Sequence, residues 1–315
     1  MKKRFNPRVA RLTQQASDLK NIDPKSALSL LAKAEGLSAG RNVYISGLRS
    51  QCYLNLEMYQ EAEKAARRAV ELDGGAISLA LLTRVFLARG DFEEAERYAR
   101  QALDARRNSR GLGLLARVQL ARGDVASAEN NIREAVRLDV SGNCTLMLGQ
   151  ILFSKGQLDE AQQAVEKAIS FNPRAISYGL LAEIHRKKRE YVKALSAVTK
   201  IRPAEQNYQS YLCEAYCLMH LKRFSRAFAQ FKKAEASLSK SRKRTFDSRI
   251  RLYAGYLFLY QSMVNRGQMV DADLLITARE AGKWLQQKSG HKSVGIFQQD
   301  DLKSALKIAA EAGLI

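Results

Sequence analysis

The residues of this chain with chemistry beyond packing are three histidines, four cysteines and several runs of like charge. Cys213, Cys217 and His220 stand at i, i+4 and i+7, which puts two thiols and an imidazole on one helical face. Zinc accepts such ligands, but a tetrahedral site needs a fourth, and thiolates usually come from two separate short knuckles. The spacing therefore favours buried, reduced thiols, as it does for Cys52 and Cys144. Gly290-His291-Lys292-Ser293 has part of a phosphate-loop pattern; it lacks the glycine directly before the lysine and the earlier glycine, and it follows a helical stretch. The pairs Glu93/Glu94 and Asp159/Glu160 open helical stretches, where carboxylates complement the positive helix end. With no nucleophile motif and no metal-ligand cluster, the chain is read as non-catalytic, without cofactor or metal. The cations remain: Arg186, Lys187, Lys188 and Arg189; Lys222, Arg223 and Arg226; Lys232 and Lys233; and Arg242, Lys243 and Arg244. A stripe of these along the C-terminal half would track a phosphate backbone. Few aromatics interleave with them to stack bases, and charge runs on helices also occur as solvated faces.

The elements that must position these residues repeat. Ala62, Ala95, Ala128, Ala161, Ala194 and Ala227 follow one another at a step of 33 residues. Twelve residues before each stands a small residue, Ser50, Thr83, Ala116, Gly149, Ala182 or Ala215. Three before stands Tyr59, Phe92, Val125, Leu158, Tyr191 or Phe224. Small residues at helical spacings let two helices approach closely, and the larger apolar residue closes the corner between them. Gly90-Asp91, Gly123-Asp124 and Gly156-Gln157 fall at the inner turns. On this register His185 takes a place held elsewhere by Tyr53, Phe86 and Leu152, which predicts a core or half-buried histidine.

Residues 1–42 form an irregular first pair, with Pro7 and Pro24 opening its helices, and 43–241 form six regular repeats. Residues 242–315 form an enlarged last pair, about 245–265 and a helix carrying Leu274 to Trp284, then a capping helix over 299–312. The run LYAGYLFLYQ (252–261) has apolar or aromatic groups on most sides, which predicts burial between helices or a homo-oligomer surface. Stretches such as LLTRVFLARGDFEEAERYARQAL (81–103) and LMLGQILFSKGQLDEAQQAVEKAISFNP (146–173) resemble the tetratricopeptide repeat family, over about residues 43–240. The period is 33, not the family's usual 34, and the family's proline near the end of the second helix appears only at Pro173. The resemblance implies an all-α, right-handed superhelical solenoid of antiparallel helix pairs.

It also implies a concave groove lined by the first helices, which would hold a segment of another protein. The residue eleven before each alanine should face that groove: Gln51, Arg84, Arg117, Gln150, Glu183 and Tyr216. Neighbouring positions are Tyr44, Asn55, Arg110, Asn143, Phe153, Arg186, Lys187, Leu212, Met219 and His220. Arg84 and Arg117, one repeat apart, would grip carboxylates, or else simply solvate a helix face. The lysine–asparagine clamp of the family's chaperone-binding members is not reproduced.

The net charge of +20 is uneven: +6 over residues 1–42, +1 over 43–174 and +13 over 175–315. Such a field attracts acidic proteins, nucleic acid or anionic lipid. No run of 18 apolar residues exists and the opening MKKRFNPRVARLTQQ has no apolar signal region, so no membrane span and a cytoplasmic location are expected. LARGDFEEAE and KGQLDEAQQA resemble bacterial repeats, and by analogy the setting is assembly of a surface apparatus or a regulatory complex. The leading expectation is an adaptor for an acidic protein segment; the alternatives are a nucleic-acid-associated regulator and a homo-oligomeric scaffold.

Overall fold

A computed structural model of the chain describes residues 6–38, 42–139, 141–240, 246–288 and 296–315. Among them every regular element is a helix. They form two compact units, Met1–Ile151 and Leu152–Ile315.

Unit 1 is a stack of antiparallel helix pairs. Its pairs are α1 (Pro7–Leu19) with α2 (Pro24–Leu37), α3 (Val43–Asn55) with α4 (Tyr59–Asp73), α5 (Ala76–Arg89) with α6 (Phe92–Ala105), and α7 (Ser109–Arg122) with α8 (Val125–Leu138). The next first helix, α9, covers Gly142–Ser154. Proline sits in the first turn of α1 and of α2, where a missing N–H costs nothing, and Asn6 and Asp23 cap the exposed amides ahead of them. Unit 2 holds α10 (Leu158–Phe171), the pair α11 (Ala175–Lys187) and α12 (Tyr191–Thr199), and the pair α13 (Tyr208–His220) and α14 (Phe224–Lys240). Three longer helices follow: α15 (Phe246–Val264), α16 (Ala272–Lys288) and α17 (Ile296–Glu311).

The 33-residue beat is the register of the helices. First helices open at residues 43, 76, 109, 142, 175 and 208, and second helices at 59, 92, 125, 158, 191 and 224. The six alanines of the beat are fully buried, as are Ser50, Thr83, Ala116, Ala182 and Ala215 before them. Around these close contacts pack larger groups such as Leu82, Phe86 and Ile132, each contributing about 1.5–3 kcal/mol by leaving water. Regularity fails once: α12 stops after nine residues, because Pro203 holds Arg202 in an extended conformation (ψ 141°) and opens a short 3-10 turn.

The enlarged tail follows the same logic. Leu252, Ala254, Tyr256, Leu257 and Leu259 of α15 are buried against α14, α16 and α17. Tyr256 donates its hydroxyl to Glu235 (2.9 Å), and Tyr253 meets Trp284 edge-on at 5.1 Å. Of the two readings of the 252–261 run, most of its side chains follow burial between helices. Leu302, Ala305 and Ala309 of α17 close over Ile250, Leu257, Ala278 and Leu285. No described helix is long and apolar enough to cross a membrane.

Candidate functional site

Between Arg49 and Arg133 the chain carries thirteen arginines. Nine of them pair with carboxylates: Arg49 with Glu35, Arg67 and Arg89 with Glu63, Arg68 with Glu71, Arg97 with Glu94, Arg100 and Arg122 with Glu96, Arg107 with Glu134 and Arg133 with Glu129. The four without an ion pair among the described residues are Arg84, Arg106, Arg110 and Arg117. They are neighbours. Arg84 in the middle of α5, Arg106 at the C-cap of α6 and Arg110 in the first turn of α7 line one cavity of about 460 Å³. The charge on Arg84 is disfavoured first by burial and then by the adjacent Arg117 guanidinium. Like charges brought together without a counter-ion raise the energy of the free protein.

The rest of that cavity is amphipathic. Ile77, Ala80, Leu81 and Leu114 form an apolar wall, with Ile77 76% exposed. Its one lining carboxylate, Asp139, accepts a hydrogen bond from Ser109 at 3.3 Å. The amide of Gly111 donates to Asn108, which caps α7.

The other groove positions of unit 1 separate. Gln51 is half-buried on the cavity wall, and Tyr44, Asn143 and Gln150 are exposed. Asn55 is committed elsewhere: its amide donates to the Lys20 carbonyl (2.7 Å) and to Asn21 (3.1 Å), tying the end of α3 to the α1–α2 turn.

In unit 2 several expected groove side chains serve the interior. Arg186 is bound by Glu183 at 2.8 Å and lies over the Tyr216 ring at 5.6 Å. Burial opposes its charge, but Glu183 wins and holds the guanidinium above its ordinary value. Tyr216 donates to the Arg251 carbonyl (3.0 Å) and meets Phe231 edge-on, because α15 packs against α13. Met219 and Leu212 are buried in the same core. Leu212 and Met219 are therefore corrected from groove contacts to packing residues; Arg186, Tyr216 and Phe153 are half-buried and Lys187 is exposed. His220 stacks on Tyr191 at 4.5 Å, and burial, then Arg186 and Arg189, lower its pKa. The basic stripe is likewise divided. Lys188 is held by Asp159 and Gln162 (2.7 and 2.9 Å), and Lys232 by Thr277 (3.0 Å) over the Phe228 and Tyr256 rings. Lys233 lies over Tyr211. Arg189, Lys222, Arg223 and Arg226 are exposed. Arg242, Lys243, Arg244 and the 290–293 run lie outside the described residues. His185, as expected, is buried, with its Nδ1 2.6 Å from Glu190. The four cysteines are free and buried.

Family comparison matches the description "tetratricopeptide repeat" at residues 81–140, and again at 45–75 and 146–174, on the helix pairs described above. The chain is a tetratricopeptide-repeat protein. Repeats of this family are generally non-catalytic and serve as modules of protein–protein interaction, and that general interaction role holds for this tetratricopeptide-repeat protein. No curated protein matches it in sequence. Among solved structures it is similar to the Cut9 and Hcn1 hetero-tetramer of the APC/C (TM-score 0.68, 13% identity, covering 94% of this chain and 55% of that one). It is also similar to the human IFIT1 dimer with PPP-AAAA (0.66, 15% identity, 96% and 73% covered) and to pilF of Pseudomonas aeruginosa (0.55, 20% identity, 64% and 94% covered). At these identities the likeness is one of fold.

Among the lining residues that a reading of the sequence misses are Ile77 and Arg106. Ile77 stands seven residues before Arg84, at the repeat position of Tyr44 and Arg110, so the 33-residue step could have found it. Arg106 belongs to the end of a second helix and carries no such signal; only packing brings it to the cavity.

Proposed function

We propose that the chain is an adaptor whose first unit binds an acidic segment of a partner protein in the cavity between α5 and α7. The observation that carries this is that three of the four arginines of residues 49–133 without an ion pair among the described residues line that cavity, with the fourth, Arg117, beside Arg84. Everywhere else in that stretch a guanidinium has a carboxylate of its own chain; here the carboxylates are left to a ligand. The apolar wall of Ile77, Leu81 and Leu114 supplies burial beside the charges.

The test is a pull-down from native cell extract with and without nuclease. A protein that survives nuclease and is lost from the Arg84→Glu, Arg117→Glu double variant supports the adaptor. A second reading rests on the exposed cations Lys187, Arg189, Lys222, Arg223 and Arg226 of unit 2, which suit a phosphate backbone. On that reading the catch disappears with nuclease and weakens steeply with salt, and Lys222→Glu with Arg223→Glu abolishes it.

A further inference from the structure

We infer that the cavity between α5 and α7 takes a phosphorylated side chain of the partner segment, with an apolar side chain of that segment against Ile77 and Leu114. This rests on the adaptor reading and names its ligand.

Charge in a confined volume is the first argument. Arg84, Arg106 and Arg110 face a cavity of about 460 Å³ whose single carboxylate, Asp139, is engaged by Ser109. One ligand carboxylate entering that space would leave most of the positive charge unmatched. A phosphoryl group brings about 1.5–2 negative charges and three acceptor oxygens in the room of one side chain.

The second argument is the type of cation. The cations that line the cavity, Arg84, Arg106 and Arg110, are all arginines, whose planar fork matches phosphate oxygens two at a time. The three that line the cavity come from different segments, the middle of α5, the end of α6 and the start of α7, so they reach one bound group from separate directions. Beside them Arg117 repels Arg84 in the free protein, and a dianion between the helices relieves that repulsion.

The third is the wall opposite. Ile77 is a large aliphatic side chain left in water at the mouth of the cavity, with Ala80, Leu81 and Leu114 behind it. A ligand made of charge alone would leave that surface wet; an apolar neighbour of the phosphorylated residue covers it.

Three degenerate peptide pools with identical random flanks and a fixed central serine, glutamate or phosphoserine would be passed over the immobilised full chain at physiological ionic strength. Retention of the phosphoserine pool should exceed that of the glutamate pool roughly tenfold. The retained sequences should be enriched in an apolar residue beside the centre. Arg84→Gln and Arg110→Gln should each reduce phosphoserine retention to the glutamate level while helix content and Tm stay at the parent values, with Arg106→Gln as an independent third variant. Ile77→Ser should remove the apolar enrichment and leave the phosphate preference. Phosphoserine retention should also decline from pH 7 towards pH 5.5, through the second phosphate pKa near ~6, while glutamate retention holds. Equal retention of the glutamate and phosphoserine pools overturns this inference and leaves the adaptor standing. Retention of no pool above the serine pool overturns both. A phosphate preference untouched by the arginine variants, or abolished by Lys222→Glu with Arg223→Glu, places the phosphate elsewhere and overturns it as well.

Discussion

At the scale of single residues, the small positions of the beat do unequal work. Thr83 donates its hydroxyl to the Leu79 carbonyl at 3.1 Å, whereas the Ser50 hydroxyl is buried without a hydrogen-bond partner among the described residues. Other repeats place alanine there, as at Ala116, Ala182 and Ala215. Ser50→Ala should therefore stabilise the protein by about 1 kcal/mol, read as a shift in urea midpoint at constant slope. Asp23 offers a pH handle. The Ser26 hydroxyl, then the Ser26 amide, donate to its carboxylate and lower its pKa. A depressed folded-state pKa stabilises the fold above the ordinary carboxylate value, and that contribution is lost as pH falls through the depressed one. Asp23→Asn keeps the capping oxygen and removes the titration, so its stability should fall less steeply below about pH 4 than the parent's, as measured by denaturation across pH.

At the scale of elements, the turn between the two helices of each pair decides how sharply the chain reverses. The residue with positive φ recurs at the 33-residue step: Glu57, Gly90, Gly123, Gly156, Arg189 and Lys222, with φ between 59° and 90°. Glycine adopts that conformation without penalty, while an L side chain meets the carbonyl oxygen at a cost of roughly 1–2 kcal/mol. Lys222→Gly should stabilise by up to about 1 kcal/mol and Gly123→Ala should destabilise by a similar amount, both read by thermal unfolding. The three glycines were legible in the sequence. That charged residues take the same backbone at the other three turns was not, because helix pairing imposes the geometry whatever the residue. Helix contacts in the tail set a stricter limit. A Cβ on Gly255 would stand 2.5 Å and 2.9 Å from two Phe231 ring atoms, and Phe231 is itself fully buried. Gly255→Ala should cost about 1–3 kcal/mol through overpacking and lower the melting temperature accordingly.

At the scale of the molecule, a stack of repeats gains cohesion from neighbours and must close its last apolar face. Removing residues 296–315 uncovers Ile250, Leu257, Ala278 and Leu285. Hydrogen exchange should then quicken across α15 and α16 while α5 to α8 keep their protection, because each repeat contacts mainly its neighbours. The groove too depends on this scale. Tyr216 and Met219 hold first-helix positions of α13, and there α15 contributes the Arg251 carbonyl and a buried aromatic core.

What the sequence alone determined is the repeat: its period, the buried alanines and the glycine turns inside three of the pairs. Those follow from local periodicity and from the steric need for small residues where helices cross. The tertiary structure decided which of the exposed-looking cations are already neutralised. Ion pairs such as Arg89 with Glu63 and Arg107 with Glu134 join residues 26 and 27 positions apart, and no local pattern reveals them. Within residues 49–133, only once those pairs are formed do Arg84, Arg106, Arg110 and Arg117 stand apart as the guanidiniums without an ion pair among the described residues, on which the proposed binding rests.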